Sequence, residues 1–269
     1  IRNSGFELQL DGRIIDRAVK WDLGVNFSLN RSKVLVLSED KDIFGGELDN
    51  TILKDQLNLM RVGEPMYVFY GYVEDGYDEN GHIVYKNMDD DPAITAADKT
   101  IIGDPNPDFL VNLTTAVSYK GFTLSAFFQS SIGNDIYSLS MAAQAYDYGY
   151  NGNTLREVYY NHWTPENPTA KYPNLDQTSY KMSDRFVYDG SFVRLKNLEL
   201  AYDVPCARSK FIKRARVYVS AQNLFTITSY PFWDPDINAN GGGSSMIQGV
   251  DSYCYPSART YTIGCRLTF

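Results

Sequence analysis

The sequence contains no apolar run approaching the ~20 residues of a membrane-crossing helix, and its mean hydropathy is -0.34. That excludes helical spans but not a transmembrane β-barrel, whose strands are half polar. Basic charge is scarce. Lys and Arg number 25 against 33 Asp and Glu, for a net charge of -8, which argues against nucleic acid as a partner. His82 and His162 are the only histidines. Neither sits in a metal-ligand spacing, and no Ser-His-Asp set, phosphate-cradling loop or nucleophile elbow accompanies them. Acidic residues are plentiful, but nothing singles out a glycosidase-like pair, so the chain reads as a non-enzyme. Cys206, Cys254 and Cys265 show no redox or metal spacing, and an odd number cannot form a fully paired disulfide framework.

Aromatic residues are abundant, with 21 Tyr and 14 Phe. The girdles of a barrel would use them, and so would a sugar-binding surface. Apolar residues alternate with polar ones in several stretches, the period-two signature of a strand with one oily face. Residues 261–269 (YTIGCRLTF) alternate to the last residue, and residues 20–30 (KWDLGVNFSLN) set Trp21, Leu23, Val25, Phe27 and Leu29 against polar neighbours. The same pattern marks residues 5–11, 108–119, 122–133, 191–204 and 213–225. In 191–204 the phase slips near Asn197, which suggests a bulge. Lys120-Gly121 is a tight-turn signal. Residues 48–59 read as a short helix and 66–72 as a strand inside an otherwise acidic, aperiodic stretch.

The connections between these strands alternate between short and long. Segments 32–107, 134–190 and 226–258 are long, the last with the flexible Gly241-Gly242-Gly243; the links after Asp11, at Lys120-Gly121 and at 205–212 are short. An up-and-down barrel with tight turns at one mouth and loops at the other predicts this segregation. A β-sandwich carbohydrate-binding module shares the strand alternation and is the alternative. The fold class expected is all-β: antiparallel strands of a large transmembrane up-and-down β-barrel with long extracellular loops. About seven spans over residues 1–269 cannot close an even-numbered barrel, and the chain begins at Ile1 rather than Met. The expectation is therefore the C-terminal portion of a larger barrel.

Several segments resemble one family: SGFELQL (4–10), the Trp21 strand ending NRSKV, GDPNPDF (103–109) followed by SYKGFTLSAFFQ, HWTPENPTAKYP (162–173), DRFVYDGSFVRLKNLELAYDVP (184–205), VYVSAQNLFTITSY (217–230) and YPSARTYTIGCRLTF. In this order they are similar to the SusC/RagA-type TonB-dependent outer-membrane transporters. The resemblance implies a barrel of about 22 strands around an N-terminal plug, energy coupling through TonB by a part outside these residues, outer-membrane lipid around the wall, and a SusD-like lipoprotein over the outer mouth. It implies a bulky substrate, a glycan or a peptide, and here a glycan is expected.

Two constellations stand out. Asn87, Asp89, Asp91, Thr95 and Asp98 occupy positions 1, 3, 5, 9 and 12 of a twelve-residue loop, and Ala93 at position 7 offers its carbonyl. That is an EF-hand-like spacing for Ca2+. Pro92 in place of the turn glycine and the short Asp98 weaken it, and the alternative is a solvated acidic loop. Aromatic residues also crowd the long loops. Tyr159, Tyr160, Trp163, Tyr230, Phe232 and Trp233 are the candidate contacts for substrate or partner, together with Tyr146, Tyr148, Tyr150, Tyr253 and Tyr255; the alternative is that they pack the loops together. The polar rows Asp22/Asn26/Asn30 and Arg216/Ser220/Gln222 would face the lumen, and Cys265 would face lipid.

Overall fold

A computed structural model of the chain describes residues 1–49, 53–146, 153–206, 211–237 and 246–269. The alternating stretches form seven long strands: β1 (Arg2–Asp16), β2 (Val19–Lys33), β3 (Phe109–Tyr119), β4 (Phe122–Ile132), β5 (Phe192–Val204), β6 (Arg214–Thr228) and β7 (Thr260–Thr268). They lie in chain order in one sheet, each antiparallel to the next. Lys120 and Gly121 both take positive φ, the conformation of the two-residue turn whose twist matches its flanking strands. The phase slip in β5 is a shift of register between Leu195 and Asn197, seen against both neighbouring strands.

One face of this wall carries the apolar rows. Ile263 is 84% exposed and Val219 47%, and Phe6, Leu10, Leu124 and Leu200 are likewise exposed. Among the described residues no second sheet covers that face. Leaving such side chains in water forfeits about 1.5–3 kcal/mol apiece, against a total stability of roughly 5–15 kcal/mol for a domain. The face is therefore built for hydrocarbon, and the sandwich alternative, which buries both inner faces, fails. Aromatic rings mark two levels of this face. Phe27 stacks on Phe109 with centroids 5.8 Å apart, and Phe122 meets Tyr202 at 4.5 Å, next to the Lys120-Gly121 turn. The indole N–H of Trp21 donates to Thr115 Oγ1 at 2.9 Å, so it need not remain unsatisfied in lipid. Cys265 is exposed on the same face.

Among the described residues β1 pairs only with β2, and β7 only with β6. Each leaves one row of backbone N–H and C=O groups open. In a meander of seven strands the first and last run in the same direction, so they cannot close on each other as an antiparallel pair. The wall is an arc of a wider barrel.

The described parts of the long loops within residues 34–108, 133–191 and 229–259 fold together at one mouth into a cap with its own core. Phe69, Leu57, Tyr137, Phe186, Ile247 and Val250 are buried within it. Short strands stitch the cap. Ile43–Phe44, Asn58–Met60, Val68–Gly71 and Thr100–Gly103 form one small sheet, and Asp135–Ser138 joins Val187–Asp189 and Val250–Asp251 in another. Two short helices, α1 (Leu139–Tyr146) and α2 (Arg156–Tyr160), lie in the second loop. The strand expected over 66–72 is realised as Val68–Gly71. The helix expected over 48–59 is not. Glu47–Asp49 and Lys54–Gln56 form a hairpin, and Asn58–Met60 is a strand. Leu57 and Leu59 are both fully buried; two residues apart, they would point to opposite sides of a helix but share a side of extended chain.

Candidate functional site

Behind the apolar face lies the polar one, where the cap meets the wall. All three loops bend over the upper part of β3, β4 and β5 and border a half-open cavity of about 440 Å³. Leu110, Asn112, Gln129 and Phe192 line it from the wall; Tyr67, Asn106 and Pro107 from the first loop; Asn134 and Ile136 from the second; Pro235, Asp236 and Ile237 from the third. The Lys120-Gly121 turn fixes the register of β3 against β4 and so places Asn112 directly opposite Gln129. Ser131 Oγ donates to Asn134 Oδ1 at 2.8 Å, and Asn106 Nδ2 donates to the Met66 carbonyl at 2.8 Å. Tyr67 is held at φ 65, a left-handed conformation uncommon for a bulky residue, while its carbonyl accepts from Asn58 Nδ2. Just behind the lining, Asp135 Oδ2 accepts from the Asp104 amide at 2.8 Å; burial, reinforced by nearby carboxylates, pushes the Asp135 carboxyl above its ordinary value.

The third loop is fastened to the wall by Arg194, a β5 residue on the polar face and only 1% exposed. Its guanidinium donates to Thr226 Oγ1 (2.9 Å), Asp236 Oδ2 (3.2 Å), Ser257 Oγ (3.2 Å) and Asp234 Oδ1. Burial pushes the Asp234 carboxyl up, but amide donors from Ser257 and Asp236 together with Arg194 hold it below the usual carboxylate range. A similar tie joins the first and second loops. Arg185 donates to both carboxylate oxygens of Glu74, which also accepts from Ser183 Oγ at 2.7 Å.

None of the six aromatic candidates lines the cavity. Tyr159 and Tyr160 stand exposed on α2 with rings 5.2 Å apart, edge to face, and Arg156 lies over Tyr160. Trp233 is 58% exposed and stacks on Phe232, which packs against the cap core. Trp163 is half-buried against Gly81, where an added Cβ would come within 2.3 Å of the indole. Tyr230 lies inside the cap: only 4% exposed, it donates to Asp251 Oδ2 at 2.5 Å, with Ser138 Oγ 2.9 Å from its hydroxyl, tying the second and third loops together. Tyr146 is also buried, stacked on Tyr180, whereas Tyr253 and Tyr255 are exposed. Tyr148, Tyr150 and Gly241–Gly243 lie outside the described residues.

The acidic loop has a definite geometry. Asn87, Asp89 and Asp91 each accept from the amide two residues on, and Asp98 accepts from the Met88 and Thr95 amides, both at 2.7 Å. Thr95 Oγ1 accepts from the Ala97 amide, and the Ala93 amide is the one held by Asp91. Those oxygens serve backbone donors, and among the described residues no group of three or more His, Cys, Asp or Glu side chains is placed to hold a metal ion.

The polar rows expected to face the lumen do share the face of the cavity. Asn26 pairs with Asn112, and Asp22 receives Arg13 Nε at 2.8 Å; on the far side Arg216 pairs with Glu199 and Asp203.

No family model matches the chain. Its relatives are nonetheless consistent. TonB-dependent receptor P3 of Formosa agariphila is 31% identical over a 291-residue alignment covering the whole of this chain and 29% of that protein. TonB-dependent receptor SusC of Bacteroides thetaiotaomicron is 27% identical over 280 residues, covering all of this chain and 26% of SusC. The structure of the RagAB peptide transporter superposes on 99% of this chain and 29% of its own, with TM-score 0.80 and 26% identity. The chain is of the SusC/RagA type. It spans under a third of the length of the curated relatives it matches. As a SusC/RagA-type segment it is part of an outer-membrane β-barrel: the apolar face meets lipid, and the polar face, with its cavity, lines the lumen.

Proposed function

We propose that the chain forms an arc of the wall and part of the outer mouth of a TonB-dependent importer that carries a bulky polar nutrient across the outer membrane. The observation that carries this reading is the joint arrangement of an outward apolar face, loops gathered at one mouth, and a polar cavity between loops and lumen wall, with a RagAB-like course over nearly the full chain. The exposed pair Tyr159/Tyr160 and the exposed Trp233, stacked on Phe232, sit on the cap, where a SusD-like surface lipoprotein would cover the mouth. TonB would act through a part of the protein outside these residues. A calcium ion at residues 87–98 is a separate proposal: it would share Asp89, Asp91 and Asp98 with the amides they now accept. Heat on titrating the full-length transporter with millimolar calcium would support it, and a flat titration would remove it. Import is tested by deleting the gene and following uptake of labelled oligosaccharides and peptides with and without a protonophore. Uptake that is lost on deletion and on de-energisation supports the reading; equal uptake by the deletion strain sinks it.

A further inference from the structure

The apolar row on β2 has a definite length. Val19, Trp21, Leu23, Val25, Phe27 and Leu29 take alternate positions on the outward face. From Val19 to Leu29 the strand covers about 33 Å and, tilted by about 40°, rises about 25 Å. That is the height of a barrel's apolar band, so the row ends where the hydrocarbon ends. Phe6, Phe27 and Phe109 cluster near that end, Phe27 lying 6.3 Å from Phe6 and 5.8 Å from Phe109. The next two outward positions on β2 are Arg31 and Lys33, and opposite them on β1 stand Ser4 and Arg2. All three cations are exposed. The long loops leave the wall at this end, so the level is that of the headgroups in the outer leaflet.

The cations are poorly compensated. Arg2 and Lys33 are directly opposite on neighbouring strands, a pairing of like charges that destabilises a sheet unless an anion lies between them. Arg31 Nη2 reaches Asp108 Oδ1 at 2.7 Å, with both side chains half exposed. Among the described residues no other carboxylate pairs with Arg2, Arg31 or Lys33. Further barrel strands extend the wall sideways and a plug would fill the opposite face, so neither comes between these side chains and the membrane.

We propose that Arg2, Arg31 and Lys33 form a site for the phosphate groups of a glycolipid in the outer leaflet. A guanidinium meets phosphate with two parallel N–H donors and an ammonium meets it as a point charge. The acyl chains of the same molecule lie against Leu29, Phe6 and Phe27, which sets the headgroup at the level of the cations. A neutral headgroup would leave Arg2 and Lys33 opposed without an anion. The site depends on how the barrel sits in the membrane and not on what it imports.

The test uses the full-length transporter purified in neutral detergent. Binding of lipid A carrying two phosphates is compared with the same lipid A after phosphatase treatment and with phosphatidylglycerol, and the unfolding temperature is followed in parallel. Each cation removed near a lipid surface should weaken binding about fivefold, so Arg31→Gln/Lys33→Gln should lose about 25-fold in affinity for the phosphorylated lipid. Arg31→Lys/Lys33→Arg, which keeps both charges, should stay within about threefold of wild type. Asp108→Asn, which releases Arg31, should gain about fivefold. Equal wild-type affinity for phosphorylated and dephosphorylated lipid A overturns the phosphate site, and tighter binding of phosphatidylglycerol overturns the glycolipid. Unchanged affinity in the Gln/Gln variant overturns the residues named; if that variant also loses a co-purifying protein, the cations serve a partner's carboxylates instead. An Asp108→Asn variant no tighter than wild type removes Arg31 from the site.

Discussion

The wall and the cap use the same side chains in opposite ways. In the wall Ile263 and Val219 point outward with nothing covering them, while in the cap Phe69, Leu57 and Val250 are sealed from solvent. Polar groups reverse with them: the wall turns Asn112 and Gln129 inward, and the cap keeps Tyr159 and Trp233 at its surface. The hydrophobic effect is one rule, and the difference lies in which medium each region meets. The wall is solvated by hydrocarbon on one side and by the lumen on the other. The cap stands in water and builds a core as a soluble domain does.

The contrast can be broken most severely where the two regions are bolted together. Arg194→Met leaves the buried Asp234 without its cation, at a cost of about 3–5 kcal/mol, and should expose residues 229–259 to protease while the sheet persists; limited proteolysis of the purified transporter reads this out. Next comes a charge on the outward face. Val219→Arg should destabilise the barrel by about 2–4 kcal/mol in bilayers, measured by equilibrium unfolding in lipid vesicles, whereas a water-facing position would change by under ~0.5 kcal/mol. Tyr230→Phe should cost about 1.5–3 kcal/mol through the lost bond to the buried Asp251 carboxylate. It should lower the melting temperature of the cap without altering substrate affinity, and an affinity loss at unchanged stability would return Tyr230 to the contact surface.

The smallest effect concerns pH. The Met88 and Thr95 amides hold the Asp98 carboxyl below its ordinary value of 3.8. A depressed folded value means that its stabilisation is fully present above the unfolded value and fades as pH falls through the folded one. Hydrogen exchange at Met88 and Thr95 should therefore be protected at neutral pH and lose protection only in strong acid. Asp98→Ala should remove that protection at every pH.

The wall was legible in the sequence because lipid on one side and a polar lumen on the other write a period of two into each strand. Even the bulge before Asn197 showed as a slip of phase. The cap was not legible, because its core is assembled from pieces too short to show a period. Leu48, Leu53, Leu57 and Leu59 are all buried, yet their spacing suits a helix no better than it announces two short strands. The aromatic count drew attention to Tyr230, whose burial depends on Ser138 and Asp251, distant in sequence. The lumen row was within reach. Once Lys120-Gly121 is taken as a two-residue turn, Asn112 must face Gln129.

The third loop also completes the cap. Ile247 and Val250 belong to the same buried cluster as Leu57, Phe69 and Tyr137, and the carbonyl of Gln248 accepts from Asn58 across 190 positions of chain. The cap cannot finish folding until the β6–β7 hairpin has delivered that loop to the outer surface. The outer mouth is sealed only when all three loops have met, in whatever order their strands take their places.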